Sequence, residues 1–269
     1  MKQLAERRLD RRYPQANIAG VRVDAVDGRG AKELLKPLLR EPDCQHVITA
    51  HSDYLRQAAR DAGLREIINS AALVVPDGMP VVWAARVSGA PASKRVTGHD
   101  LVQALTDLSA SDGASLFLLG AAPGVAELAA QKMKQRHPGV RIAGVYSPPI
   151  CSYPFPEEED RRIVETINAS GADALLVAFG CPKQDLWIAA HRDDLNVSVA
   201  MGVGCVLDVI AGAVRRAPGW LQVMGLEWLY RLIQEPRRLW WRYLGDAAFL
   251  ILLFYRSARL RLVKSGIDR

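Results

Sequence analysis

Polar residues and glycines recur just past short apolar runs. Thr49 and His51 end or follow HVIT, and Asp77 follows AALVV. Gly120 and Gly124 follow SLFLL, and Pro182, Lys183 and Gln184 follow ALLVAF. Gly202, Gly204 and Asp208 follow VSVAM. If those runs are parallel strands, all these residues gather where an open α/β sheet binds ligands, at the carboxyl ends of its strands. Asp77 sits in the turn Pro76-Asp77-Gly78, where a carboxylate is either a turn residue or a general base; Asp208 carries the same ambiguity. The loop from Leu119 to Gly124 offers backbone N–H groups to a phosphate. It is neither a G-x-G-x-x-G fingerprint nor a Walker A loop, so a plain strand-to-helix turn is the equal alternative. His51 and His99 are each a candidate ligand or base, although a lone histidine is more often structural. No His, Cys or carboxylate set has metal-ligand spacing, and no Asp-x-Asp occurs. No metal or other cofactor is therefore expected. A leaving diphosphate would have to be neutralised by cationic side chains.

The elements that position these residues follow from periodicity. Strands are expected at 46–49, 71–75, 115–119, 141–146, 174–179 and 197–201, with an edge strand at 18–23. Helices are expected at 31–39, 53–69, 101–108, 125–136, 157–170 and 183–192. Strand-then-helix alternation with near-continuous apolar strands predicts a Rossmann-like α/β fold, a mostly parallel sheet with helices on both faces. The composition changes near Arg215–Pro218, which divides an α/β core (1–214) from a C-terminal appendage (215–269).

The charge divides at the same place. Of 269 residues with net charge +6, those from Arg215 onward hold eleven Lys/Arg against four acids, leaving the first 214 residues at −1. Four of the six tryptophans lie there too. The run AAFLILLFY (247–255) is too short for a bilayer that needs about 20 apolar residues. Basic residues with Trp and Leu on short helices suit the interface of an anionic membrane. A core-packing helical pair with a solvated basic face is the simpler alternative, and the apolar tail equally suits a homo-oligomer interface. No helix-turn-helix, RRM or zinc-finger pattern accompanies the charge, so nucleic acid is not expected as a partner. The four cysteines lie far apart, which suits a reducing cytoplasm. No apolar segment follows the basic N-terminus, so no signal peptide is expected.

Several blocks stand in a distinctive order: Val75-Pro76-Asp77-Gly78, Arg95-Val96-Thr97-Gly98-His99-Asp100-Leu101, Phe179-Gly180-Cys181-Pro182-Lys183-Gln184-Asp185, and Gly202-Val203-Gly204 through Asp208. Arg216-Ala217-Pro218, Glu227-Trp228-Leu229-Tyr230-Arg231 and Glu235-Pro236-Arg237-Arg238 follow. Over roughly residues 18–245 the chain resembles the WecG/TagA/CpsF glycosyltransferase family. The resemblance implies an inverting, metal-independent transferase. Such enzymes pass a sugar from UDP-N-acetylmannosamine, its uronic acid or UDP-glucose to a polyprenyl-diphosphate-linked saccharide. They act at the cytoplasmic face of the membrane, in teichoic acid, enterobacterial common antigen or exopolysaccharide assembly. By match to the family's motifs, Asp77 would be the base. Thr49, Arg95, Gln184 and Asp208 would line the cleft, and Arg231 and Arg238 would neutralise the diphosphate. The family usually carries Thr-x-Asn where this chain has Thr49-Ala50-His51. A titratable ring there would hold a different sugar or acceptor, assist Asp77, or lose the usual contact. Asp185 in place of a common Glu is a milder departure. The competing readings are a non-catalytic membrane-associated assembly factor and a nucleotide-cofactor oxidoreductase; the missing dinucleotide fingerprint counts against the latter.

Overall fold

A computed structural model describes residues 13–90, 93–149, 153–224, 226–237, 239–241 and 243–251. Strands β1 (Gln15–Ile18) and β2 (Val21–Asp24) form an antiparallel hairpin. The single edge strand expected at 18–23 is thus split by a turn. Ala19 and Gly20 both take positive φ, 52° and 88°, as a two-residue turn matched to strand twist demands. Helix α1 (Gly28–Leu38) is capped by the Asp27 side chain, which accepts from the Gly30 N–H. Strand β3 (Gln45–Ala50) leads to α2 (Ser52–Ala58) and α3 (Ala62–Ser70). The expected 53–69 helix is interrupted because Asp61 caps a new helix, accepting from the Leu64 N–H. Strand β4 (Leu73–Pro76) is followed by α4 (Met79–Val87), which the periodicity did not reveal.

Helix α5 (Gly98–Asp112) begins at a capping box between Thr97 and Asp100. Then come β5 (Ser115–Gly120), α6 (Val125–Arg136), β6 (Arg141–Tyr146), α7 (Glu157–Ser170), β7 (Ala174–Ala178), α8 (Lys183–His191), β8 (Val199–Gly202) and α9 (Val206–Ala211). Strands β3–β8 form one sheet in the order β4-β3-β8-β7-β5-β6, and every pairing is parallel. Alternate strand residues face opposite ways. Val47, Val75, Leu118, Leu176 and Met201 bury against α1, α5, α6 and α9. Ile48, Val74, Phe117, Leu175 and Ala200 bury on the other face, against α2, α3, α4, α7 and α8. The sheet is therefore covered on both faces.

Past α9 the chain forms α10 (Gly219–Val223) and α11 (Glu227–Gln234), and residues 236–237, 239–241 and 243–251 are again helical. The last of these helical stretches returns to α2: Asp246 accepts from Arg56 Nε at 2.9 Å, and Arg56 also pairs with Asp53. Trp228 meets Tyr243 edge-on, with ring centres 6.0 Å apart. Among the described residues, no helix is long and apolar enough to cross a membrane. Arg238, and the end of the apolar run beyond residue 251, lie outside the described residues.

Candidate active site

A cavity of about 420 Å3 opens at the carboxyl ends of β4, β3 and β8 and the start of α8. Backbone bonds fix its first wall. The Asp77 N–H donates to the Ala50 carbonyl (2.9 Å), and the Val96 N–H donates to the Pro76 carbonyl (3.0 Å). The ends of β3 and β4 and the segment carrying Arg95 are thereby held side by side. Gly78 adopts φ +98°, a conformation that a side chain would strain. It reverses the chain so that Asp77 faces the cavity while α4 leads away.

Thr49 and His51 stand beside Asp77 on the same rim. His51 caps α2, its Nδ1 accepting from the Tyr54 N–H at 3.3 Å, and its ring stacks on Tyr54. Gln184 forms the opposite wall. Its Oε1 accepts from both the Gly180 and Gly204 N–H groups, at 3.2 and 3.0 Å. That double acceptance directs Nε2 toward Gly202, where a Cβ would collide with the amide. The neighbouring Asp185 is buried and bonds to His46 Nε2 at 3.1 Å.

The C-terminal segment supplies the remaining wall: Arg216, Glu227, Trp228, Arg231, Tyr243 and Asp246 all line the cavity. Glu227 accepts from Arg95 Nη1 at 3.2 Å and from Arg216 Nε at 3.5 Å, and Arg231 Nη2 lies 4.0 Å from it. These charges act on the titratable groups. Burial pushes the Asp77 carboxyl up from 3.8 to about 6; Arg231 and Arg95 oppose the shift, while Glu227 and Asp100 add to it. Burial, with the Arg216 and Arg231 guanidinium groups, pushes His99 down to about 4, and its buried Nε2 has no hydrogen-bond partner among the described residues. Near neutral pH the site therefore holds an ionised Asp77 that readily takes a proton, a neutral His99 and three guanidinium groups. Among the described residues no cluster of His, Cys, Asp or Glu is arranged to hold a metal ion.

Of the residues singled out from sequence, Thr49, His51, Asp77, Arg95, Gln184 and Arg231 converge on this cavity. Gly120 and Asp208 do not line it. Gly120 ends β5, which β7 separates from β8. A Cβ there would lie 2.8 Å from the Phe179 ring and 3.0 Å from the Ala178 carbonyl, so close packing accounts for this glycine. Asp208 lies within α9, and burial raises its carboxyl. Arg238 is outside the described residues. His99, also a candidate from sequence, lines it too, and the structure adds Arg216, Glu227, Trp228, Tyr243 and Asp246. Arg216 and Glu227 stood in the blocks that carry the family resemblance, but only the return of the C-terminal segment brings them to the cavity that Asp77 lines.

Comparison with known proteins gives the family. Residues 5–263 match the description "Glycosyl transferase WecG/TagA/CpsF family". The chain is similar to the N-acetylglucosaminyldiphosphoundecaprenol N-acetyl-beta-D-mannosaminyltransferase of Bacillus spizizenii, with 33% identity over 196 residues, 73% of each chain. It is likewise similar to the Staphylococcus aureus (strain MW2) protein of the same name, with 29% identity over 215 residues, 80% of each chain. This match along nearly the whole length of a chain built on a parallel α/β sheet places it in the WecG/TagA/CpsF family of glycosyltransferases.

Proposed function

We propose that the protein is an inverting transferase that moves a sugar from a UDP-sugar to a polyprenyl-diphosphate-linked saccharide in cell-surface polymer synthesis. The observation that carries this reading is that Asp77 lines one cavity together with Arg95, Arg216 and Arg231. Asp77 takes the proton of an acceptor hydroxyl as that oxygen attacks the anomeric carbon. The bond from that carbon to the diphosphate breaks, and UDP leaves with the electron pair. Because attack and departure occur on opposite faces, the configuration inverts. The guanidinium groups take up the charge that develops on the departing diphosphate. Thr49, His51 and Gln184 would orient the sugar and the acceptor. The relatives' names point to an N-acetylmannosamine donor and an N-acetylglucosaminyl-diphosphoundecaprenol acceptor.

The division into a core (1–214) and a basic appendage (215–269) belongs to the same proposal. The appendage leaves Trp220, Met224, Ile233, Trp241 and Ile251 exposed, on a segment with an excess of arginine. Large apolar side chains among basic ones favour an anionic lipid interface, where the lipid-linked acceptor resides. We place the protein peripherally on the inner face of the cytoplasmic membrane.

The deciding test is UDP release from UDP-N-acetylmannosamine, its uronic acid and UDP-glucose, with a polyprenyl-diphosphate-linked N-acetylglucosamine acceptor in detergent. Release from one donor that depends on acceptor and is lost in Asp77→Asn supports the reading. Binding of donors without acceptor-dependent release would overturn it in favour of a non-catalytic role.

A further inference from the structure

Glu227 takes no part in the transfer chemistry, yet it sits among the charges that the chemistry uses. It is the first residue of α11 and only 15% of its side chain is exposed. It contacts three guanidinium groups that arrive from different segments. Arg95 comes from the loop between α4 and α5, Arg216 from the stretch after α9, and Arg231 from one turn along α11. Three like charges brought together in a partly desolvated space repel one another. In this cavity Glu227 is the carboxylate in direct contact with all three, whereas Asp77 acts on Arg95 and Arg231 through space. Its two oxygens share the contacts: Oε2 takes Arg95, while Oε1 takes Arg216 and lies nearest Arg231. The carboxylate therefore ties the sheet side of the cavity to its C-terminal side.

We infer that Glu227 is a positioning residue that gathers Arg95, Arg216 and Arg231 into one diphosphate-binding cluster. Three guanidinium groups less one carboxylate leave an excess of two positive charges. A sugar-nucleotide diphosphate carries two negative charges, so the cluster attracts the ligand as a unit even with the ionised Asp77 nearby. The fork geometry of arginine requires that each group be aimed, since bidentate contacts depend on orientation. Without Glu227 the three side chains would separate toward water, and the diphosphate would have to reassemble them. The inference rests on the UDP-sugar reading and adds to it the residue that organises the anion site.

The test compares UDP binding by calorimetry in wild type, Glu227→Gln, Glu227→Asp and Arg216→Gln, each full length and in detergent. Donor KM and kcat, and the melting temperature, are measured on the same proteins. Glu227→Gln is expected to weaken UDP binding about tenfold and to raise donor KM by a similar factor. Glu227→Asp, which keeps the charge, recovers most of that loss. Adding Arg216→Gln to Glu227→Gln costs less than the two single effects combined, because both act through one cluster. A residue needed only for folding would lower the melting temperature and kcat together and leave UDP affinity per folded molecule unchanged; that result would overturn the inference. Tighter UDP binding by Glu227→Gln would also overturn it, since Glu227 would then be a competitor for the arginines. If Glu227→Gln does not fold, Glu227→Asp decides: wild-type affinity supports the inference, and a loss as large as that of Arg216→Gln sinks it. If wild type itself fails to bind UDP, the donor reading falls first and takes this inference with it.

Discussion

Replacing Asp77 by asparagine should make the protein more stable while removing its activity. The carboxyl is raised from 3.8 to about 6, chiefly by burial. Between those values the folded protein keeps a proton that the unfolded chain has released. The contribution of this group to stability therefore falls as pH rises through that window, and the whole penalty is present above pH 6. Two pH units correspond to an upper bound of about 3 kcal/mol. Part of the side chain faces the open cavity, and solvent screening there reduces the figure to about 1.5 kcal/mol. Asparagine has nearly the same shape and no charge to desolvate. Asp77→Asn should melt about 3–6 °C above wild type at pH 7.5, since a chain of this size gains roughly 2–4 °C per kcal/mol. The gain should shrink to about a third at pH 4.5 and vanish only below about pH 3.8, where the unfolded chain holds the proton as well. UDP release should fall by about 100-fold to 10,000-fold, the range for loss of a general base. Thermal melting of both proteins at the two pH values, alongside the release assay, checks this. A variant that melts below wild type at pH 7.5, or with the same offset at both pH values, would refute the argument that Asp77 is held ionised against its surroundings.

Three further outcomes follow from other contacts. Arg56→Ala leaves Asp246 and Asp53 without the guanidinium between them; UDP release should drop about tenfold, and limited proteolysis should cut the C-terminal segment faster. Gly202→Ala places a methyl against the Gln184 amide; it should weaken UDP binding and lower the melting temperature by several degrees, an overpacking cost of about 1–3 kcal/mol. Trp220→Ser combined with Trp241→Ser removes two exposed indoles that lie outside the cavity; co-sedimentation with anionic vesicles should fall at least about fivefold, while release with a detergent-soluble acceptor persists.

Much of the fold was legible because the buried strands are continuous apolar runs, most of them closed by Gly or Pro. HVIT, SLFLL and ALLVAF each became a strand with nearly the expected limits. Helix α4 was missed because MPVVWAARV shows little polar-apolar alternation, with Val81, Val82, Ala84 and Ala85 all buried. The break between α2 and α3 rests on one side-chain cap at Asp61, a local signal that an apolar periodicity passes over. The site was legible where it depended on strand ends, as for Thr49, Asp77 and Gln184. It was not where it depended on the order of strands in space. Gly120 also follows an apolar strand, but β5 is two places from β8. The lining residues Arg216 and Glu227 needed the path of the C-terminal segment, which no local pattern contains.

The strand order also constrains how the chain can reach its native state. Strand β3 touches only β4 and β8, while β5, β6 and β7 pair among themselves before β7 meets β8. Until β8 is in place the sheet exists as two unjoined pieces, one from residues 45–76 and one from residues 115–178. Among the described residues the last strand to leave the ribosome is therefore the one that joins them, and it lands between partners about 150 and 25 residues back along the chain. Closing so distant a pairing is slow, and unpaired parallel edges invite wrong partners in the meantime. A nascent chain halted before Val199 should accordingly be captured by chaperones, and one extended past Gly202 should be released.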